Sequence, residues 1–223
     1  MITENNLPSL AHDLVRIHKV ITRGLSIGVE RGAEFIQAGF PNPTMRQGFA
    51  DYIRSLAIVL DAHHLSEDEI AFPAFQKKLP LAPYKHLLAT HKEIEALLTP
   101  VIQAVADGTG AGIEASLPFL VGSLRKITVI WAPHIRMEES IFSLEALSNV
   151  MNSQEQARLS EAMANYSQEH AAPGYLALPF VLFNLNAEDR DSMAASLPGV
   201  IMEEMIPKVW KERWAPMKPF LLE

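Results

Sequence analysis

Three clusters of glycine and proline divide the first two thirds of the chain into four long segments. The breaks are GFPNP at 39–43, KLPLAP at 78–83 and DGTGAG at 107–112. Glycine and proline interrupt helices, whereas the segments between them carry apolar residues at helical spacing, without the alternation of strands. The segments cover residues 8–38, 44–77, 83–107 and 113–149. Four long helices joined by short loops predict an all-α fold, an up-down-up-down four-helix bundle.

The pattern changes after residue 150, where shorter helical segments follow. They span 152–169, 173–185, 187–195 and 198–212, and the chain then ends in WAPMKPFLL. We predict a bundle domain over 1–149 and a C-terminal helical extension over 150–223 that packs on it. The aromatic residues and prolines near the end predict a contact with another copy, as in a homodimer, or a cover on the bundle within one chain.

The composition limits the classes of function. The formal net charge of -7 weighs against nucleic-acid binding, which needs a basic surface. The chain has no cysteine, so thiolate metal sites and thiol nucleophiles are excluded, and any metal must be bound by His, Asp or Glu. The polar N-terminus lacks the apolar run of a signal peptide, and the apolar stretch GYLALPFVLF is shorter than a membrane span. We therefore expect a soluble, cytoplasmic protein with no membrane partner.

Each predicted bundle helix has a histidine on its apolar stripe, and two helices add a glutamate one turn later. The stripes follow alternating steps of three and four residues. They consist of Leu14, His18, Ile21 and Leu25; Phe49, Ile53, Leu56, Leu60, His63, Glu67, Ile70 and Ala74; Tyr84, Leu87, His91, Ile94, Leu98, Val101 and Val105; and Leu120, Leu124, Ile127, Trp131, His134, Glu138 and Ile141. The four helices therefore direct six polar side chains toward the bundle axis.

These six polar residues form either a hydrogen-bonded network or a metal site, because buried polar groups need partners. In the HxxxE spacing the two side chains lie about 40° apart around a helix and can reach one metal centre. His63–Glu67 and His134–Glu138 both have this spacing. Imidazole and carboxylate ligands suit first-row metals. We predict a metal site in which four imidazoles and two bridging carboxylates hold two ions.

Three further polar residues lie beside these candidates. His64 and Asp68 are about 100° from the buried stripe. We interpret them as a surface pair; the alternative is that they orient a metal ligand from outside the site. Glu139 follows Glu138 directly and is a substitute ligand.

Four short segments carry the candidate ligands: IHKVITRGL, HHLSEDEIAFP, THKEIEALL and HIRMEESIF. Together they resemble the metal-binding segments of hemerythrin-like proteins, the HHE cation-binding family, over residues 10–145. The resemblance implies two iron ions bridged by an oxo or hydroxo group, with zinc or manganese as alternative metals. It also implies two kinds of ligand. The terminal ligands would be His18, His63, His91 and His134, and the bridging carboxylates would be Glu67 and Glu138.

The chain departs from the oxygen-carrying hemerythrins at one position. Those proteins have a further histidine four residues before the matched one in the third helix, where this chain has Leu87. His86 is displaced by one residue and would point about 100° away. The resemblance then implies two histidines for each iron and more open coordination positions. This argues against reversible oxygen carriage and for a sensor, storage or reactive site.

Three functions are consistent with such a site. The first is binding of oxygen, nitric oxide or a small anion by an iron pair in an apolar pocket formed by Leu60, Leu87, Ile94, Ile127 and Trp131. The second is an oxidoreductase that acts on oxygen or peroxide at open metal positions. The third is a structural metal in an interaction protein. Because the chain shows no separate substrate-binding motif, we rank binding above catalysis.

Overall fold

The computed structural model describes residues 9–106 and 112–222. Within those ranges the regular structure is helical and includes no strand. The α-helices are α1 (Leu10–Ala38), α2 (Pro43–Ser66), α3 (Phe72–Gln76), α4 (Tyr84–Ala104), α5 (Ile113–Ile141), α6 (Leu144–Val150), α7 (Ser153–His170), α8 (Gly174–Phe183), α9 (Ala187–Ala194) and α10 (Lys211–Trp214). The described residues also form two π-helical segments, Glu67–Ala71 and Ile201–Val209, and one 3-10 helix, Ala215–Phe220.

Four long helices form the predicted bundle. α1 packs against α2 and α5, and α4 packs against α2 and α5, so the four helices form a closed ring. Each helix therefore lies beside the next one along the chain, as in an up-down-up-down bundle. The predicted fold class is confirmed. Of the third predicted break, 107–112, only Gly112 lies within the described residues.

Glycines on α1 bring its backbone close to the neighbouring helices. A β-carbon at Gly24 would lie 2.7 Å from Leu56 Cδ1, and one at Gly28 would lie 2.9 Å from Leu124 Cδ1. Both distances are too short for carbon atoms in contact, which prefer about 3.5–4.0 Å. The small residues of α1 therefore allow the close packing that places His18 near its counterparts on the other helices.

The second bundle helix contains a π turn between α2 and α3. The amide of Phe72 donates to the carbonyl of Glu67, five residues earlier. Pro73 explains the widened turn. A proline has no amide hydrogen, and in an α-helix its ring would clash with the carbonyl four residues before it. The turn thus begins at one of the candidate metal ligands, a common location for π turns in proteins.

The π turn also shifts the buried face of the helix by one residue. The predicted stripe continued through Ile70 and Ala74, whereas the buried residues from the end of the turn onward are Ala71, Phe72 and Phe75. Simple helical periodicity was therefore wrong beyond Glu67, because a π turn inserts one residue relative to the 3.6-residue repeat.

The fourth predicted segment, 113–149, consists of two helices. α5 ends at Ile141, and α6 begins after Ser143, whose hydroxyl accepts a hydrogen bond from the amide of Ala146. Serine stabilises a helix start in this way. The break lies one turn beyond Glu138, so the candidate ligands remain together on α5.

The C-terminal segments pack on the outside of α2 and α1. α7, α8 and the 3-10 helix all contact α2. Side chains from this part of the chain belong to the main hydrophobic core, among them Phe180, Trp214, Met217 and Phe220. The aromatic end of the chain thus covers the bundle within one molecule; the division at residue 150 and the homodimer stay predictions.

Arg23 of α1 links the bundle to the C-terminal region. Its guanidinium donates to the side-chain oxygen of Asn184 and, at 2.8 Å, to the backbone carbonyl of Phe220. The Tyr52 hydroxyl donates to the same Asn184 oxygen at 2.8 Å. None of the described helices is both long and apolar enough to cross a membrane.

Candidate metal centre

The six polar residues predicted to face the bundle axis meet in its interior. Between 0% and 4% of the surface of each residue is exposed. α1 provides His18, α4 provides His91, and α5 provides His134 and Glu138. The remaining two, His63 and Glu67, come from α2 and the start of the π turn. The bundle therefore brings together residues that are up to 120 positions apart in sequence.

The candidate ligand atoms fall into two sets of four. One set comprises His18, His63, Glu67 and Glu138, and the other comprises Glu67, His91, His134 and Glu138. Within each set the ligand atoms lie within 4.8 Å of one another. Each set has two imidazoles of its own, and both sets share the same two carboxylates. This is the arrangement expected of two ions bridged by two carboxylates.

The Glu138 carboxylate lies between the two sets. Its Oε2 is 3.3 Å from Nε2 of His18, whereas its Oε1 is 3.2 Å from Nε2 of His134 and 3.6 Å from Nε2 of His91. Two ligands that share an ion at about 2.1 Å and at right angles are about 3.0 Å apart. The observed spacings are therefore close to those of donors around common ions.

Glu67 lies between the sets in the same way. Its Oε2 is 3.5 Å from Nε2 of His63 and 3.5 Å from Nε2 of His91. These two histidines belong to different sets, so Glu67 faces both.

Several atoms of the cluster are buried without a hydrogen-bond partner among the described residues. They are Nε2 of His18, Nε2 of His63, Oε2 of Glu67 and both carboxylate oxygens of Glu138. An unpartnered buried polar atom costs about 1–3 kcal/mol. Among the six residues, Nε2 of His91 and Nε2 of His134 lie 3.1 Å apart, within hydrogen-bond distance, but a hydrogen-bonded network would also have to pair the atoms named above, and they have no such partner in the part of the chain that the structure describes. The donor set therefore fits metal ions better than it fits an internal network.

The two glutamates differ in the direction in which their surroundings shift the pKa. Burial raises the pKa of Glu67, and the charges of Glu138 and Asp68 raise it further. Burial acts on Glu138 in the same direction, but the nearby imidazoles of His134, His18 and His91 outweigh it and lower its pKa. Without metal, the cluster therefore favours one ionised carboxylate and one neutral carboxyl group.

Burial lowers the pKa of an imidazole, whereas it raises the pKa of a carboxyl group. Burial, assisted by the neighbouring His18, lowers the pKa of His63 well below its ordinary value. Burial also lowers the pKa of His18, but the adjacent carboxylates of Glu138 and Glu139 outweigh it and raise the pKa.

Two carboxylates outside the six hold two of the histidines. Nδ1 of His91 lies 2.7 Å from Oδ1 of Asp68, and Nδ1 of His18 lies 2.8 Å from Oε1 of Glu139. A carboxylate that accepts from Nδ1 leaves Nε2 free to bind a metal and fixes the ring orientation. The surface-pair interpretation of Asp68 was therefore wrong. Glu139 lies where it supports His18 rather than in either set of ligand atoms.

The two outer contacts are related by the sequence pattern. In HHLSED the carboxylate after Glu67 accepts from a histidine of α4, and in HIRMEE the carboxylate after Glu138 accepts from a histidine of α1. Each helix that carries an HxxxE motif thus also supports a histidine on a neighbouring helix. The repeated acidic residue after the glutamate is the signal that could have identified both contacts.

Trp131 forms an apolar wall beside the cluster. Its ring centroid is 5.4 Å from that of His18 and 5.9 Å from those of His63 and His134. Its indole nitrogen donates to the Thr22 hydroxyl at 2.9 Å, which holds the ring in place. The other residues predicted to line an apolar pocket, Leu60, Leu87, Ile94 and Ile127, are also buried.

His64 is a buried residue beside the cluster that helical periodicity missed. Only 6% of its surface is exposed, and its ring stacks on that of His91 with centroids 4.0 Å apart. The surface-pair interpretation was wrong because the ring points into the bundle, where its centroid lies 5.8 Å from that of His134 and 6.0 Å from that of Trp131. A helix covered on several sides has a buried face wider than one stripe.

Comparison with known proteins agrees with this geometry. A family model described as the hemerythrin HHE cation binding domain matches residues 9–146. The matched range contains α1 to α5 and all six candidate ligands. No curated protein and no solved structure matches the chain.

Proposed function

The chain belongs to the hemerythrin family of HHE cation-binding domains, and from this premise we propose that it binds two iron ions that take up a small ligand. The small ligand is dioxygen, nitric oxide or a small anion. The observation that carries the proposal is that two sets of ligand atoms share both Glu67 and Glu138. One isolated set would support a single ion, whereas two sets with common carboxylates support a pair.

Each residue of the cluster has a role in this proposal. The terminal ligands are four imidazoles and the bridging ligands are two carboxylates: His18, His63, His91 and His134, and Glu67 and Glu138. When bound, an iron pair supplies a change of oxidation state and open coordination positions for the small ligand. A site made only of nitrogen and oxygen donors also accepts manganese or zinc. The choice of iron as the native metal is therefore itself proposed.

The surrounding residues would keep the site selective for small ligands. Asp68 and Glu139 accept from Nδ1 of their histidines and so direct Nε2 inward. Trp131 and the apolar residues around it limit the number of water molecules beside the ions. An apolar pocket with few polar groups suits a diatomic molecule better than a large polar substrate.

A groove between α1 and α5 borders the cluster. It has a volume of about 410 Å³, and His18 and Glu139 form part of its wall. Lys19 and Thr22 lie on the α1 side. A small ligand in this groove would be in contact with one of the candidate ligand histidines.

The proposal is tested by metal analysis and visible spectroscopy of the full chain. Protein purified without added metal is expected to contain two iron ions per chain. A new visible band is expected when the ferrous form meets oxygen or nitric oxide and when the oxidised form meets azide. A Glu138→Gln variant is expected to lose iron and the band, because both sets lose a carboxylate. His86→Gln is the matched control, since His86 is exposed on α4.

Three results would contradict the proposal in different ways. Fewer than two ions per chain after reconstitution contradicts the pair itself. Turnover of peroxide or of an organic substrate identifies an oxidoreductase. A bound metal with no spectral response to any small ligand, together with a large loss of thermal stability on chelation, identifies a structural site.

A further inference from the structure

The imidazole of His64 is buried but has no role in the site described so far. Its Nε2 has no hydrogen-bond partner among the described residues, and 6% of the residue surface is exposed. It belongs to neither of the two sets that share the carboxylates. An unpartnered polar nitrogen in the interior lowers the stability of the fold by about 1–3 kcal/mol. A bound ligand would remove this cost by giving the atom a partner.

His63 and His64 point toward different halves of the bundle. Successive residues of a helix are about 100° apart, and α2 packs between α1 and α4. The ring of His63 contacts that of His18 on α1, with centroids 5.1 Å apart. The ring of His64 stacks on that of His91 on α4, with centroids 4.0 Å apart and an angle of 12° between the planes. His63 therefore faces the histidine of the first candidate ion, whereas His64 faces a histidine of the second.

His64 forms a third set of ligand atoms with the two histidines of the second ion. One ring nitrogen from each of His64, His91 and His134 lies within 4.8 Å of the other two. Nitrogens that bind one ion at about 2.1 Å are at most about 4.2 Å apart. Because an ion lies close to the plane of each imidazole that binds it, coordination requires the His64 ring to turn out of its stack on His91 as well as a shift of less than about 1 Å. Rotation about the terminal bond of a histidine side chain is soft enough to provide both.

The α4 position one turn before His91 cannot supply this imidazole. It is Leu87, which is fully buried in an apolar cluster with Phe72, Tyr84 and Phe142. The neighbouring His86 is exposed. The only further buried histidine in the described part of the chain is therefore on α2.

We propose that His64 is a direct ligand of the ion bound by His91 and His134, so that the two ions bind five imidazoles, three on one ion and two on the other. This inference rests on the proposed function, because it presupposes the pair of ions. It leaves the first ion, bound by His18 and His63, unchanged. It also reduces the number of open positions on the second ion, so that the small ligand is directed toward the first ion.

The test uses the full chain loaded with cobalt(II), in which each coordinated imidazole gives a strongly shifted, exchangeable N–H signal in the proton NMR spectrum. Wild-type protein is expected to show five such signals, and His64→Gln is expected to show four. In a chelator competition, His64→Gln should bind one of its two ions more than about 100-fold more weakly. Removal of an outer partner alone costs about 10–100-fold.

His86→Gln is the control, because it removes an exposed histidine and should retain five signals and both affinities. His64→Leu is a second variant in case His64→Gln fails to fold, and circular dichroism of the metal-free proteins checks folding.

Other outcomes separate the two proposals. Wild-type protein that binds fewer than two ions contradicts the proposed function. Two bound ions with four shifted signals in the wild type, or five in His64→Gln, overturn the role of His64 alone. If His64→Gln keeps both ions and five signals but binds azide more weakly, His64 interacts with the small ligand instead, which also overturns the inference.

Discussion

At the scale of single residues, two glutamates with similar surroundings behave differently. Glu67 and Glu138 are both buried and both face two sets of imidazoles. Burial and like charge raise the pKa of Glu67, whereas close imidazoles lower that of Glu138. The cluster thus avoids two adjacent buried charges when no metal is present. Two divalent ions remove this constraint, since they stabilise both carboxylates in the ionised form.

Glu67→Gln tests this difference. Glutamine resembles a neutral carboxyl group, so we expect the free energy of unfolding of the metal-free protein to change by less than about 1 kcal/mol. Metal at 1,000 times its dissociation constant stabilises the wild type by about 4 kcal/mol per ion, and the variant should lose most of this gain. Thermal unfolding with and without metal measures both effects. Glu145→Gln, at an exposed position, is the control; an equal metal response in Glu67→Gln would contradict the role of Glu67 as a bridge.

Asp68→Ala tests the outer support of a ligand. Without the carboxylate that accepts from Nδ1, the ring of His91 can rotate and change tautomer. We expect metal affinity to fall by about 10–100-fold, as measured by chelator competition. Glu69→Ala is the matched control, because Glu69 is the next residue of the π turn, has the same charge and is exposed. Similar affinities for the two variants would show that the contact with His91 has no functional effect.

At the scale of elements, α2 is the most constrained helix of the bundle. It contacts the two neighbouring bundle helices on one side and α7, α8 and the 3-10 helix on the others. Small residues make this possible. A β-carbon at Gly48 would overlap the backbone carbonyl of Pro216 in the 3-10 helix. The C-terminal segment thus packs directly on the backbone of the helix that carries His63 and Glu67.

Gly48→Ala is expected to destabilise the protein by about 1–3 kcal/mol, because the added methyl group must displace the 3-10 helix. Urea unfolding measures the change. Gly122→Ala is the matched control: Gly122 lies in the interior of α5 and an added β-carbon there meets no atom within 4 Å. Since alanine favours a helix over glycine by about 0.5–1 kcal/mol, Gly122→Ala should be stabilising. Equal effects of the two substitutions would show that the close contact at Gly48 is unimportant.

At the scale of the whole molecule, one core joins the bundle to the C-terminal region. Phe220 is almost fully buried, and its ring contacts Phe49 and Tyr52 of α2 with centroids 5.5 and 5.6 Å apart. Arg23 adds polar contacts to Asn184 and Phe220. Because these contacts join distant parts of the chain, the bundle and its C-terminal region should unfold together.

Phe220→Ala is expected to lower the free energy of unfolding by about 3–5 kcal/mol, as for other buried phenylalanines. Urea unfolding should remain one transition, coincident in circular dichroism and tryptophan fluorescence. Leu222→Ala is the control, since Leu222 is 37% exposed and should cost far less. An early transition of the C-terminal region followed by a separate unfolding of the bundle would contradict a shared core.

Much of this protein could be predicted from local sequence patterns. Glycine and proline marked the breaks after α1 and before α4, and helical periodicity placed six polar residues on buried stripes. Both signals depend on residues within one or two turns of each other, so they can be recognised without knowing what the helices pack against. The stripes of α4 and α5 were confirmed through Val105 and Glu138, where the helices are regular.

The tertiary structure decided the features that depend on contacts between distant segments. His64 is buried because its ring lies against those of His91 on α4 and His134 on α5, and Asp68 is near His91 because α2 packs beside α4. The π turn at Glu67 shifted the buried face by one residue, whereas the prediction had continued the regular helical repeat through it. The sequence of one helix determines which residues share a face, but only packing determines how much of that helix is covered and which residues of other helices it meets.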